Sequence, residues 1–465
     1  MVPKFEPFNS PVHSLPPEIL SEIFLLSLEG PYHILGPLHD GPWLIGRVCH
    51  RWRVIVWGYS ALWSSFVVGW PRPRQEDTGR RLLGEALRRT GQRGLSVKIW
   101  ICDAFPDVIT ETLLQHSSQW EAVDLCGPAP NQWIQLSELG LHFPSLRLLA
   151  VNHTSSAELP AVLSMFKDAP NLKSLQINLH NPHPLSFHPA AIKFPWSRIT
   201  DLKMSIEGRV GPSVEILRLC SNLEVLEESC GVFVPEAVTD PVPLTLRILR
   251  SLSVGSPLFL RYITCPALEH LSIAIPHRLP FSERDLSRFF VRSGSQLQTL
   301  KLGSLAQDIS DPRQLFSCIP QLRKLFLGFQ GCDYYGNLTR ILTSIRSQDA
   351  GVMIPRLSVL ELSVDEIFTG KIQLEGRDEI LIGIIVERWD VPQESRVTRL
   401  NQVRISCEFM GFTDYMVTQQ YEAARNRTLA RVDRLKLFKT EGLDISIIAK
   451  QTNIEGPLED HVLLA

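Results

Sequence analysis

The sequence predicts an α/β protein in which a small N-terminal helical domain is followed by an irregular repeat solenoid, with a parallel β-sheet inside and helices outside. Three observations predict this architecture. Two short apolar stretches with helical spacing open the chain, one apolar pattern then recurs, and helix-like segments separate its copies. At 465 residues the chain is too long for one ordinary core, which also favours several units or a repeat array.

Composition and charge limit the classes of protein to which this chain can belong. The chain is 44% hydrophobic and 21% charged, as in folded proteins, and its 47 basic and 49 acidic residues nearly balance. We therefore expect neither nucleic acid nor a membrane as a partner. The N-terminal residues lack a secretory pattern, and the apolar run 380–386 is far shorter than the ~20 residues of a membrane span. Nine scattered cysteines without a Cys-x-x-Cys pair suit a reducing compartment, so we expect a cytoplasmic or nuclear location.

The first apolar stretch predicts a helix near residues 15–24. Pro16 and Pro17 suit the first turn of a helix, where the missing amides would be unpaired anyway. Apolar residues then recur at helical spacing at Ile19, Leu20, Ile23, Phe24 and Leu28. Because Leu25 and Leu26 are apolar as well, the apolar face is wider than one side of a small core requires.

The second apolar stretch follows a Gly- and Pro-rich loop at 30–42 and predicts another helix. Its stripe consists of Ile45, Val48, Cys49, Trp52 and Val56. The position of Cys49 in this stripe predicts an inert, buried thiol. A domain this small with so much apolar surface is usually covered by a partner or by the rest of its own chain.

These two stretches resemble an F-box, in the style common in fungal F-box proteins. The resemblance covers residues 13–68 and is carried by LPPEIL with the following IF, by VCHRWRVI and by LW, in matching order, although the loop at 30–42 is longer than in a compact F-box. It implies docking on a Skp-type adaptor, which connects the chain to a cullin and to ubiquitin transfer. The adaptor-binding residues that it implies are Leu15, Pro16, Ile19, Leu20, Ile23, Phe24, Val48, Cys49 and Trp52. The alternative is that these side chains only cap the following domain.

The recurring pattern is an apolar residue, two others, an apolar residue, one other and an apolar residue. Clear copies begin at Leu146, Leu172, Ile199, Leu249, Leu268, Leu297, Leu322 and Leu357, and weaker copies begin at Trp120, Leu223 and Leu400. Most spacings fall at or near the about 20–29 residues of a leucine-rich repeat. The segments between copies predict helices; in one of them Asp311 is the expected N-cap and Pro312 the first helical residue.

Residues 96–450 therefore resemble a leucine-rich-repeat solenoid of the F-box type. The pattern departs from that family because the expected buried Asn or Cys is replaced by Thr154, His180, Glu207, Pro276 and Gln330. We expect irregular turns for this reason. The alternative is an ordinary α/β domain with parallel strands. Towards the end of the chain, residues 376–389 predict a long helix, 442–447 a closing strand and 451–465 a flexible tail.

Residues 72–95 predict a linker helix between the two regions. Its apolar stripe contains Leu82, Leu83, Ala86 and Leu87, with arginines on the outer face. These arginines could instead hold phosphates, but no aromatic residues lie among them.

The positions between the apolar residues of each predicted strand should face away from the helices. The central row contains Asp124, Ala150, Gln176, Lys203, Glu227, Ser253, Ser272, Lys301, Phe326 and Glu361. His270 and Lys324 flank it, and together with Lys301 and Phe326 they form a basic, partly aromatic group typical of a protein-binding hot spot. We expect a target protein there, with an acidic or phosphorylated segment; the alternative is a solvated sheet face.

No catalytic motif is present, and we expect no enzymatic activity, cofactor or metal. His180, His183 and His188 lack a neighbouring Cys or carboxylate, so an exposed insertion is favoured over a zinc site. The resemblance implies the substrate-recognition subunit of a Skp–cullin–F-box ubiquitin ligase. Two other hypotheses stay open: a scaffold that holds the adaptor outside ubiquitination, and an enzyme with a cleft in the repeat insertions.

Overall fold

The computed structural model of the chain describes most of the predicted strands and helices. The described residues are 11–28, 30–34, 41–69, 76–100, 107–127, 141–152, 159–179, 188–206, 210–229, 241–274, 283–294, 296–303, 309, 311–330, 334–346, 353–367, 377–391, 395–411, 436–453 and 459–464. The chain forms two compact units, one of residues 1–207 with 215–222 and one of residues 208–214 with 223–465. The predicted domain limits near 68 and 95 both fall inside the first unit.

The first unit contains a parallel sheet whose strands follow the order of the chain. Its strands are β1 (Tyr32–His33), β2 (Ser65–Gly69), β3 (Leu95–Trp100), β4 (Trp120–Cys126), β5 (Leu148–Asn152), β6 (Ser174–Leu179) and β7 (Asp201–Ile206). Its helices are Pro17–Ser27, Gly41–Ile45, His50–Gly58, Glu76–Thr90, Asp107–Leu114 and Leu159–Met165. Strands β1 and β2 belong to the predicted N-terminal domain, so this region joins the sheet directly.

The second unit contains a parallel sheet of the same kind. Its strands, in sheet order, are β8 (Val225–Glu228), β10 (Ser251–Val254), β12 (His270–Ala274), β13 (Thr299–Gly303), β14 (Lys324–Gln330), β15 (Val359–Ile367), β16 (Gln402–Gly411), β17 (Asp444–Asn453) and β18 (Glu459–Leu464). A separate small parallel pair is formed by β9 (Leu244–Thr245) and β11 (Ile263–Thr264). The helices are Glu283–Ser293, Pro312–Ser317, Tyr334–Arg346 and Arg377–Trp389, and the helix Gly211–Leu219 contributes residues to both units.

Each copy of the apolar pattern from Trp120 to Leu400 leads into a strand, as predicted. The two later apolar residues of each copy lie in the strand and are aligned across neighbours, so that Leu300 lies between Leu271 and Leu325. Their side chains are buried, apart from the half-buried Ile405, and the residues between them are half-buried or exposed, apart from the buried Ala150. The chain is thus an α/β protein with a large parallel sheet content and helices between the strands, which is compatible with a solenoid-like arrangement.

Main-chain hydrogen bonds set the register at the start of each strand. The N–H groups of Gln298 and Thr299 both donate to the carbonyl oxygen of Glu269, at 2.8 and 3.0 Å. The same pair of hydrogen bonds to one carbonyl oxygen recurs at other strand starts. The accepting residues are Arg147, Lys173, Glu224, Arg250, Gln298, Arg323 and Ser358. The two residues that follow the first apolar residue of each such copy therefore donate main-chain hydrogen bonds to the neighbouring strand. This role does not depend on their side chains.

The segments between strands form the predicted helices. The carboxylate oxygen Oδ1 of Asp311 accepts a hydrogen bond from the Gln314 N–H at 3.2 Å, and Pro312 is the first helical residue, as expected from the N-cap preference. The predicted helix at 376–389 is present as Arg377–Trp389. The predicted linker helix at 72–95 is present as Glu76–Thr90 and ends before β3, which begins at Leu95, while positions 72–75 lie outside the described residues.

Two predictions differ from the structure. The stretch from 44 to 56 is not one helix, because Cys49 has an extended backbone (φ −157°, ψ 170°) that separates the helices Gly41–Ile45 and His50–Gly58. The segment 451–465 was predicted to be a flexible tail, but residues 451–453 extend β17 and residues 459–464 form β18, which pairs antiparallel with β17. The closing strand consequently runs beyond the predicted 442–447.

The alternation of the strands can be tested on two adjacent residues of β13. Leu300 is fully buried, whereas Lys301 is exposed on the opposite face. We expect Leu300→Ala to lower the free energy of unfolding by about 2–5 kcal/mol, since it removes a packed side chain. Lys301→Ala should change it by less than about 0.5 kcal/mol. Urea unfolding followed by circular dichroism measures both values, and equal effects of the two substitutions would contradict the assigned faces.

Candidate functional site

The predicted adaptor-binding residues divide into a buried and an exposed group. Leu20 and Phe24 lie in the core of the first unit, and the ring of Phe24 packs against Trp52 with 4.7 Å between ring centroids. These side chains support the N-terminal helices and are not accessible to a partner. Leu15, Cys49 and Trp52 are half-buried, and Pro16 is exposed.

The exposed group forms an apolar stripe along the helix Pro17–Ser27. Ile19, Ile23 and Leu26 follow one another at helical spacing and are 48%, 44% and 82% exposed. We call these three residues the apolar stripe. Val48, in the turn before the helix His50–Gly58, is 60% exposed. Large apolar side chains at this exposure and spacing are typical of a surface that binds another protein.

Further exposed apolar residues in the same region were missed as contact candidates. They are Leu26, Leu44, Val54 and Trp57. Leu26 had a signal in the sequence, because it widens the apolar face of the first helix. The other three had no such signal in the sequence, since their exposure depends on the interruption between two helices at Cys49.

Hydrogen bonds attach the helix His50–Gly58 and the following Tyr59 to the parts of the chain that precede them. Arg51 donates to the carbonyl oxygen of Leu15, Arg53 Nε donates to that of Gly46 at 2.9 Å, and the Tyr59 hydroxyl donates to Glu22 Oε1 at 2.6 Å. Cys49 is half-buried, so the predicted burial of its thiol is wrong, and its Sγ accepts the Trp52 N–H at 3.4 Å as the N-cap of the helix His50–Gly58. This sulfur therefore has a local structural role. The inertness of the thiol stays a prediction.

Arg89 connects the helix Glu76–Thr90 to the N-terminal helices. Its guanidinium carbon lies 4.4 Å from the ring centroid of Trp57 and 5.1 Å from that of Trp63, within the range of cation–π attraction. Arg89 also pairs with Glu85 on its own helix. Arg88 pairs with the same carboxylate at 2.9 Å, so at least these two arginines of the segment are engaged within the protein rather than offered to phosphates.

The four candidate target-binding residues lie on neighbouring strands of the second unit. Register places Lys301 directly beside Phe326, and Thr299 lies between His270 and Lys324. The two lysines and His270 are exposed, and Phe326 is half-exposed. Phe326 is followed across the sheet by Glu361, which pairs with Arg404 at 3.6 Å. The sheet thus places these four residues on neighbouring strands, as the sequence predicted. Their role in binding a target stays a prediction.

A polar group on the sheet of the first unit was not predicted. Lys98 Nζ pairs with Asp124 Oδ2 at 2.9 Å, and Asn152 Nδ2 donates to Asp124 Oδ1 at 2.6 Å. The hydrogen bond that Lys98 donates to Asp124 raises the pKa of Lys98. Because the Asp124 carboxylate accepts from Lys98, Asn152 and Cys126, this group rigidifies strands β3 to β5 rather than offering a free charge.

Three described cysteines have thiols with a raised pKa. Burial raises the pKa of Cys220 and of Cys265 to about 12, and burial followed by the neighbouring Asp124 raises that of Cys126 to about 11. These thiols stay protonated near neutral pH and are poor nucleophiles. Within the described ranges no cluster of His, Cys, Asp and Glu could hold a metal. His180 and His183 lie outside those ranges, and no described helix is long and apolar enough to cross a membrane.

No protein-family model matches this chain, and no curated protein matches its sequence.

The ion pair at Glu85 has a measurable pH dependence. Hydrogen bonds from Arg88, and next from Arg89, lower the pKa of Glu85 from 4.5 to about 2. A lowered pKa stabilises the fold above pH 4.5, and this contribution is lost as the pH falls towards 2. We expect Glu85→Gln to cost about 0.5–1 kcal/mol at pH 7, since solvent screens the pair, and to cost nothing near pH 2. Urea unfolding across this pH range is the measurement.

Glu215, an exposed glutamate on the helix Gly211–Leu219, provides the control. Glu215→Gln should leave the difference between neutral and acid pH unchanged. A pH-independent effect of Glu85→Gln would show that the ion pair does not contribute.

Proposed function

We propose that this chain is the substrate-recognition subunit of a Skp–cullin–F-box ubiquitin ligase. The observation that carries the proposal is the apolar stripe Ile19, Ile23 and Leu26, which lies within the F-box-like motif and is exposed. A helix that served only to cap the sheet would have no use for these side chains in water. The same helix buries Leu20 and Phe24 against the first unit, so one element can serve both an internal core and a partner.

In this proposal the N-terminal helices bind a Skp-type adaptor, and through it a cullin. The remaining chain is a leucine-rich-repeat-like solenoid that binds a target protein. The exposed basic residues His270, Lys301 and Lys324, with Phe326 among them, support an acidic or phosphorylated segment as the target's contact. The chain performs no bond chemistry. It fixes lysines of the target near the ubiquitin-carrying enzyme, which raises their effective concentration.

The adaptor contact is tested by co-expression with a Skp-type adaptor and pull-down. We expect the wild-type chain to retain the adaptor and Ile19→Asp/Ile23→Asp to weaken binding by more than about tenfold, because buried charges replace apolar contacts. Both positions are exposed, so the variant should fold normally by circular dichroism. Trp52 is unsuitable as a test position, since it packs against Phe24.

Leu437→Asp is the matched control, because Leu437 is an apolar residue of the second unit that is 61% exposed. It should bind the adaptor like the wild-type chain. If a folded wild-type chain does not bind, or if all three chains bind equally, the stripe is not an adaptor contact.

Ubiquitin transfer distinguishes a ligase subunit from a scaffold. With adaptor, cullin and charged ubiquitin-carrying enzyme, but without a target, we expect transfer to lysines of the chain itself, since proximity alone raises the rate. Ile19→Asp/Ile23→Asp should abolish this modification, measured by the shift in mass on a denaturing gel. Adaptor binding without any transfer would favour a scaffold that acts outside ubiquitination.

A further inference from the structure

An arginine-lined cavity lies in the second unit, away from the exposed strand residues discussed above. It has a volume of about 590 Å³ and lies among the 3₁₀ segment Pro257–Tyr262, the helix Glu283–Ser293 and the helix Pro312–Ser317. Cavities that bind small molecules commonly measure about 300–1,000 Å³. We call this site the arginine cavity.

Four arginines line the arginine cavity. Arg284, Arg288 and Arg292 follow at four-residue spacing on one side of the helix Glu283–Ser293, and Arg261 comes from the 3₁₀ segment. One carboxylate is present: Asp285 is 5% exposed and pairs with Arg261 at 2.7 Å. Positive charge therefore exceeds negative charge at this cavity by three, from four arginines and one aspartate.

The side chains of Arg292 and Arg261 are bound to other residues of the cavity walls. Arg292 donates to the carbonyl oxygens of Leu260 and Ile263 at 2.6 and 2.9 Å and to Thr264 Oγ1 at 3.1 Å. These bonds fasten the helix to the neighbouring 3₁₀ segment. Arg292 and Arg261 are consequently held in place at one wall of the cavity.

Arg284 and Arg288 have no such role. Both are exposed, and neither has a hydrogen-bond or ion-pair partner among the described residues. Arg288 also acts on its neighbour, because burial lowers the pKa of Arg292 and the positive charge of Arg288 lowers it further. Like charges held this close destabilise the free protein, and an anion placed between them removes that repulsion.

The remaining lining residues indicate which group the phosphate of the ligand should carry. Pro241, Pro243 and Val291 give the cavity an apolar wall, and the Val291 side chain is 73% exposed. We infer that the arginine cavity binds a phosphate monoester with a small apolar or aromatic body. Guanidinium groups bind phosphate through paired, charge-assisted hydrogen bonds, and the apolar wall then packs against the ester group. This ligand chemistry is shared by a small phosphorylated compound and by a phosphorylated side chain of a peptide.

The inference is tested on the full chain by isothermal titration calorimetry with phenyl phosphate. We expect binding by the wild-type chain, weaker binding of inorganic phosphate, and at least a tenfold loss of affinity in Arg284→Ala/Arg288→Ala. The control Arg323→Ala/Arg356→Ala removes the same charge from exposed positions of the second unit outside the cavity. It should leave the affinity within twofold.

Three results would overturn the inference: no binding by the wild-type chain, no loss in the cavity variant, or an equal loss in the control. If the alanine variant does not fold, Arg284→Lys/Arg288→Lys keeps the charge and should still lose affinity, because lysine cannot form the paired contact. A phosphotyrosine peptide identifies the source. Tighter binding than phenyl phosphate indicates a phosphorylated protein, and equal or weaker binding indicates a small compound; both support the site.

Adaptor binding by Arg284→Ala/Arg288→Ala should equal that of the wild-type chain. This measurement distinguishes a failure of the inferred phosphate binding from a failure of the proposed ligase function.

Discussion

One main-chain carbonyl per strand sets the register on which both units depend. Where this bond is formed, two successive N–H groups at the start of a strand donate to a single carbonyl of the preceding strand, as Arg323 and Lys324 do to Gln298. Parallel strands need long crossover connections, and these do not fix the pairing by themselves as a hairpin turn does. The pair of hydrogen bonds supplies that missing constraint, so each strand places its leucines opposite those of its neighbour. The burial of the core and the alignment of the exposed residues follow from this register.

This constraint explains how the strands form without the buried asparagines of a regular repeat. The positions where such residues were expected hold other residues, among them Glu207 and Gln330. A ladder of side chains would order the turns at the carboxyl ends of the strands. Here the backbone at the opposite ends performs the alignment. The connections can therefore differ in length, as the separations between β12, β13 and β14 show.

The strands that carry the repeated pattern, β4 to β8, β10 and β12 to β16, could be predicted because apolar residues at fixed positions indicate burial directly. Strand β2 has the pattern, at Trp63, Phe66 and Val68, but it lies in the region that was assigned to the helical domain. Strand β3 lacks it, since Gly94 stands at the leading position before Val97 and Ile99. The exposed stripe was only half predictable. Helical spacing gave its position, but the division between Leu20 on the inside and Ile19 on the outside required the packing of the second helix. The arginine cavity had no sequence signal, because Arg261 approaches Asp285 only through the fold.

The N-terminal helices show how a small domain can be stable while it exposes apolar surface. Arg89 lies against Trp57 and Trp63, and strand β2 pairs with β3, so the helices share the core of a larger unit. A free domain of this size would need its apolar residues for its own interior. Attachment to the sheet releases Ile19 and Ile23 from that requirement.

The register bonds also bear on how such a protein could change over time. Because they join only main-chain atoms, no side chain of the central row is needed to keep a strand in place. Ser253, Ser272, Lys301, Phe326 and Glu361 occupy equivalent positions on successive neighbouring strands of the same scaffold. Mutation can therefore replace these residues one at a time without loss of the fold. A lineage built on this backbone can acquire new binding specificities while its interior stays constant.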